Sequence, residues 1–103
     1  MTETFKRSRI EVLVDKPLVR TVAAASKEAG IKAYTLLPTL GGEGVHGVWE
    51  DDQLTGAQAK QVFLAVTTRE KADRFVDILQ PYLESHGLIL LISTVEVVRA
   101  NKF

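Results

Sequence analysis

Two amphipathic helical stripes separate four short apolar runs, and that order leaves few folds open to a chain of 103 residues. In residues 10–14, Ile10, Val12 and Val14 fall on one face and Leu13 on the other, the period of a strand. Asp15-Lys16-Pro17 then opens a helix, with Pro17 at a first position where its missing N–H costs nothing. Leu18, Val19, Val22, Ala25, Ser26 and Ala29 recur at helical spacing, and Gly30 supplies the stop. Residues 33–37 read as a second strand ended by Pro38, and residues 61–66 as a third. Thr67-Thr68-Arg69-Glu70 has the form of a capping box and starts a second helix. Its buried stripe is Ala72, Phe75, Val76, Leu79, Tyr82 and Leu83, and Pro81 is expected to kink it or end it early. Gly87 closes this helix, and residues 88–98 form a long apolar fourth strand.

The expected architecture is α+β: a ferredoxin-like βαββαβ domain, one unit over residues 1–103, with a four-stranded antiparallel sheet and both helices on one face. Two helices cover one face only. Yet Leu13 lies opposite Val12, Val62 opposite Phe63 and Leu91 opposite Leu90, so the strands are apolar on both sides. The uncovered face asks for burial, and the same face of another copy is the simplest cover.

Composition narrows the function. Thirteen basic residues balance thirteen acidic ones, which argues against nucleic-acid backbone binding, since that needs a positive surplus. No cysteine is present, so disulfides, thiolate metal sites and cysteine nucleophiles are excluded. Residues 1–9 are polar and charged and lack the apolar core of a secretory signal, and the longest apolar run is too short to span a bilayer. A cytoplasmic protein without membrane insertion is expected.

The pattern lapses between residues 39 and 59. This stretch holds Gly41, Gly42, Gly44, Gly47 and Gly56 and the acidic run Glu50-Asp51-Asp52. Loops of this length in so small a domain are functional or disordered. Gly41, Gly42 and Gly44 can turn successive N–H groups toward one point, an anion-binding nest, or serve as a plain flexible loop start. Trp49 is hard to place in a core here. It either anchors a neighbour or packs on its own sheet. His46 with Glu50, Asp51 and Asp52 matches no metal-loop signature, and a solvated acidic loop is preferred to a metal site.

Residues 12–44 resemble the PII signalling family. The resemblance rests on Lys16-Pro17 opening the first helix, Gly30-Ile31 leading into the second strand, Thr35 within it, and Gly41-Gly42-Glu43-Gly44 beginning a large loop, the T-loop of that family, here about residues 41–58. The family's modified tyrosine is missing from this loop. The glycine- and lysine-rich segment before the last strand shrinks to Glu84-Ser85-His86-Gly87, and the closing arginine pair is reduced to Arg99 and Lys102. Fewer cations suit AMP or ADP better than a triphosphate. The short loop and the last strand are more similar to PII-like proteins tied to inorganic-carbon uptake, the carboxysome-associated and bicarbonate-transporter-associated kinds.

That resemblance implies a homotrimer with ADP or AMP between subunits, bicarbonate beside the nucleotide, and a bicarbonate transporter or carboxysome-related protein as target. It places Thr35, Gly41, Gly42, Arg99 and Lys102 at the nucleotide, Gly41, Gly42, Glu43 and Gly44 at the bicarbonate, and Val45, His46 and Trp49 on the partner-facing loop. On the residues alone Thr35 is read first as an ordinary strand threonine, and Arg99 and Lys102 equally as a solvated tail. Lys60 and Arg69 are further basic residues beside the third strand. No nucleophile-base arrangement is legible, so a regulatory protein is expected and not an enzyme. The alternative is another ferredoxin-like small-molecule-binding regulatory or interaction domain.

Overall fold

The computed structural model describes residues 2–45, 47–50, 59–99 and 103. Strand β1 (Phe5–Asp15) is flanked on both sides, antiparallel to β5 (Lys60–Thr67) and to β6 (Ile89–Val97). Strand β2 (Thr35–Pro38) pairs with the outer side of β5, so the sheet order is β2-β5-β1-β6. A separate hairpin joins β3 (Gly41–Gly44) to β4 (Gly47–Glu50). Helices α1 (Val19–Glu28) and α2 (Arg69–Ser85) lie on one face. This is the ferredoxin-like arrangement the sequence pattern predicts.

The register explains the core. Ile10, Val12 and Val14 are fully buried, with Phe63 and Ala65 of β5 on the same face. Val22, Ala25 and Ala29 of α1 and Ala72, Phe75 and Leu79 of α2 close over them. Tyr34, Phe63 and Phe75 stack in series, with ring centroids 4.7 and 5.8 Å apart. On the other face, Leu37 of β2 and Ile89 and Leu91 of β6 stay exposed. The two-faced apolar character seen in the sequence is real.

The helix boundaries follow local chemistry, with two corrections. Helix α1 is preceded by a 3-10 turn (Lys16–Leu18) that contains Pro17. It ends as expected at Gly30, whose φ of 87° lets the Gly30 N–H reach Lys27 O and the Ile31 N–H reach Ser26 O, both at 3.0 Å. At α2 the expected box is shifted by one residue: Thr68 is the cap, and its hydroxyl accepts from the Lys71 N–H. Lys71 then occupies the place where a reciprocal box needs Glu or Gln, so Glu70 cannot close it. Pro81 does not stop α2, which runs on to Ser85. Leu79 before it is buried, Tyr82 after it packs against the core, and the Ser85 hydroxyl donates to the Pro81 carbonyl at 2.8 Å. That packing offsets the one backbone hydrogen bond a proline forfeits.

Phe63 contacts both helices' layer and the Tyr34 ring, so Phe63→Ala should cost about 3–5 kcal/mol. Urea unfolding followed by circular dichroism checks this: the midpoint should fall sharply with little change in slope. A loss below about 1 kcal/mol would contradict the packing described.

Candidate functional site

The patternless stretch is not all loop. Residues 41–44 and 47–50 form the β3–β4 ladder, with Gly42 opposite Trp49 and Glu43 opposite Val48. A glycine-rich strand shows no alternation of apolar and polar residues, so period-2 reading passes over it. Two other contacts hold the hairpin. The Trp49 indole N–H donates to Thr39 Oγ1 at 3.2 Å, and that hydroxyl donates to the Lys60 carbonyl at 2.8 Å. Lys60 Nζ stands 5.2 Å from the indole centroid and 2.6 Å from Asp15 Oδ1. Lys16 N–H to Ala59 O, at 3.0 Å, extends the β1–β5 ladder beside this cluster.

Gly42 is required by this packing. A Cβ there would stand 2.4 Å from Trp49 Cη2, well inside contact distance. The indole lies across the glycine backbone on one side and meets the Lys60 ammonium, a cation–π arrangement.

Between the hairpin and the end of the sheet opens a cleft of about 400 Å³. Leu13, Ile89, Val48 and Trp49 give it apolar walls, and Asp15, Glu43 and Lys60 bring charge. Gly44, Val45, Gly47 and Gly87 complete the lining, so the cleft joins the hairpin to the turn between α2 and β6. A concave, largely apolar site with a few polar groups suits a small organic ligand.

The expected site residues divide between the two ends of the sheet. Gly41, Gly42, Glu43, Gly44, Val45 and Trp49 gather at the cleft end. Residues 41–44 run extended, so successive N–H groups point to opposite sides of the strand and do not converge as in a nest. Val45 is 96% exposed at the hairpin tip, and Trp49 is turned onto its own hairpin. Thr35 is exposed on the open face of β2 and does not line the cleft. Arg99 follows β6 at the far end, where Val97 pairs with Phe5. Ten residue steps along β1 put roughly 30 Å between that end and Asp15. His46 and Lys102, like Asp51 and Asp52, lie outside the described residues. No cluster of three or more potential metal ligands occurs among the described residues. No described helix is long and apolar enough to cross a membrane.

Sequence reasoning missed Thr39 and Asp15 as site residues and gave Lys60 little weight. Asp15 and Lys60 are cross-strand partners, so their contact depends on the β1–β5 register. Only the mixed character of Lys60, a cation at the edge of an apolar strand, hinted at it.

A ferredoxin-like sheet thus carries a hairpin folded over a cleft at one end. Residues 7–102 match the family described as nitrogen regulatory protein P-II, and the chain belongs to that family of regulatory proteins. No curated protein matches it. Among solved structures it is similar to CPII, a nitrogen regulatory PII-like protein from Thiomonas intermedia K12. One form of CPII, bound to ADP, AMP and bicarbonate, shows 22% identity and a TM-score of 0.92 over 100% of this chain and 98% of that one. Another, bound to ADP and bicarbonate, shows 23% identity and a TM-score of 0.89 over 100% and 99%. The likeness to GlnK from B. subtilis in complex with ATP is looser: 7% identity and a TM-score of 0.61 over 87% of this chain and 82% of that one.

Trp49 is the sole tryptophan, so its fluorescence reports hairpin docking. Gly42→Val should displace the indole and shift its emission to longer wavelength. Thr39→Val should give a smaller shift, since it removes one hydrogen bond worth about 1 kcal/mol. Unchanged emission in both variants would contradict the packing.

Proposed function

We propose that this protein is a PII-like signal-transduction protein that senses ADP or AMP together with bicarbonate, and is linked to inorganic-carbon uptake or carboxysome function. The observation that carries the reading is the cleft beneath the β3–β4 hairpin, in a chain that matches over its full length a PII-like protein bound to ADP, AMP and bicarbonate. The apolar walls suit a nucleoside, and the hairpin is the element a bound ligand would hold in place. Glu43 and Gly44 of the hairpin then face the ligand across the cleft, and the exposed hairpin tip at Val45 is the surface offered to a target such as a bicarbonate transporter. In this reading the protein is a switch and catalyses nothing.

The active form is a homotrimer. Exposed Leu37, Ile89 and Leu91 on the open sheet face support association of copies. In that trimer Arg99, with Lys102, serves a neighbouring subunit's nucleotide, as does Thr35 from its edge strand, since neither Arg99 nor Thr35 lines the cleft of its own chain. A diphosphate needs such cations, because Lys60 alone among the described lining residues is basic.

Two outcomes are expected. Calorimetric titration with ADP or AMP should show saturable binding that tightens when bicarbonate is present. Equal affinity with and without bicarbonate would remove the carbon-sensing part, and no binding of either nucleotide would remove the whole reading. Leu91→Glu should lower the mass measured by light scattering to that of one chain. An unchanged trimer would show that the open face is not the interface.

A further inference from the structure

The cleft holds an arrangement that nucleotide binding by itself does not call for. Its one described ammonium, Lys60, is already engaged: Nζ stands 2.6 Å from Asp15 Oδ1. Glu43 adds a second carboxylate to the lining, so the described lining residues carry more negative charge than positive. An oxyanion entering here meets repulsion from Asp15 and Glu43 and must compete with Asp15 for Lys60. The Asp15–Lys60 pair is also loosely held, with side chains 36% and 26% exposed, the regime in which an ion pair contributes little and exchanges readily. An ammonium has three donors, and Asp15 takes one. Lys60 can therefore meet an incoming oxyanion before it leaves Asp15, and the repulsion between the two anions then drives the exchange to completion.

We propose that Asp15 is a built-in competitor for the ligand's oxyanion at Lys60, and that exchange of Lys60 from Asp15 to that oxyanion is what the hairpin senses. The inference rests on the ligand class proposed above and adds the residues that set its affinity and transmit its arrival. The oxyanion is a phosphate of the nucleotide or a bicarbonate, and both present the same acceptor chemistry. Transmission is direct. Lys60 Nζ faces the Trp49 ring at 5.2 Å, and the Lys60 carbonyl accepts from the Thr39 hydroxyl, which in turn accepts from the indole N–H. A lysine that turns toward an oxyanion in the cleft changes its contact with the ring while its backbone stays anchored through Thr39, so the indole reports the exchange and the ligand takes over part of the hold on the hairpin. The competition also sets a threshold: occupancy requires enough oxyanion to displace the carboxylate.

Two substitutions with opposite expected signs test this. Asp15→Asn removes the competitor and should tighten oxyanion binding about fivefold; Lys60→Met should weaken it at least as much, and Lys60→Arg should restore it. Binding of ADP, adenosine, bicarbonate and inorganic phosphate is measured on the full chain by calorimetry and by Trp49 fluorescence. Adenosine lacks the oxyanion, so its affinity should not change. A shift for ADP without bicarbonate assigns the phosphate to Lys60, and a shift for bicarbonate assigns the carbonate. If the wild type binds ADP but Asp15→Asn weakens binding or leaves it unaltered, the competitor role is overturned while the nucleotide reading survives. If the wild type binds no nucleotide, that reading falls, and the fluorescence response to bicarbonate and phosphate decides this inference alone. Opposite-signed shifts in the two variants uphold it, and their absence overturns it.

Discussion

Strand β1 is the member on which the rest of the structure depends. It pairs with β5 on one side and β6 on the other, and its Ile10, Val12 and Val14 are all fully buried beneath the helices. A one-residue slip against β5 would turn Phe63 from the core to the open face and bring Val62 under the helices. The same slip would part Asp15 from Lys60, since the two are opposed only in this register. The pairing that buries the core therefore also sets the charge at the cleft.

The hairpin is attached more lightly than the sheet. Its hold on the domain runs through the indole hydrogen bond to Thr39, the Thr39 bond to the β5 backbone, and the ammonium beside the ring. Each is a contact of modest strength at a half-exposed site. A segment held in this way can be shifted by the binding energy of a small ligand, whereas the β1 ladder cannot. The division suits the proposed regulator: a rigid sheet presents a cleft beneath a lightly fastened hairpin.

Much of the fold was legible because it rests on periodicity. Alternation at Ile10, Val12 and Val14, the helical recurrence through Val22 and Ala25, and the stop at Gly30 each act over a few residues. The two-faced apolar strands were also readable, as Leu91 opposite Leu90 shows. Other features depend on distant partners. The β3–β4 hairpin carries no apolar alternation, and its stability comes from Trp49 lying on Gly42, a cross-strand fit that chain order does not reveal. Pro81 stays within α2 because packing on either side of it outweighs a local rule. Of the candidate site, the glycine step and Trp49 stood out by composition, while Asp15 met Lys60 only through the β1–β5 pairing and Thr39 met it only where the chain leaves β2 beside β5.

In the proposed switch, ligand in the cleft fastens the hairpin. Amide hydrogen exchange of the full chain, read by mass spectrometry with and without ADP plus bicarbonate, addresses it directly. Exchange should slow over residues 39–50 and at the turn around Gly87, with the β1 ladder unchanged. Bound ligand with exchange unaltered over residues 39–50, or protection confined to the helices, would contradict it.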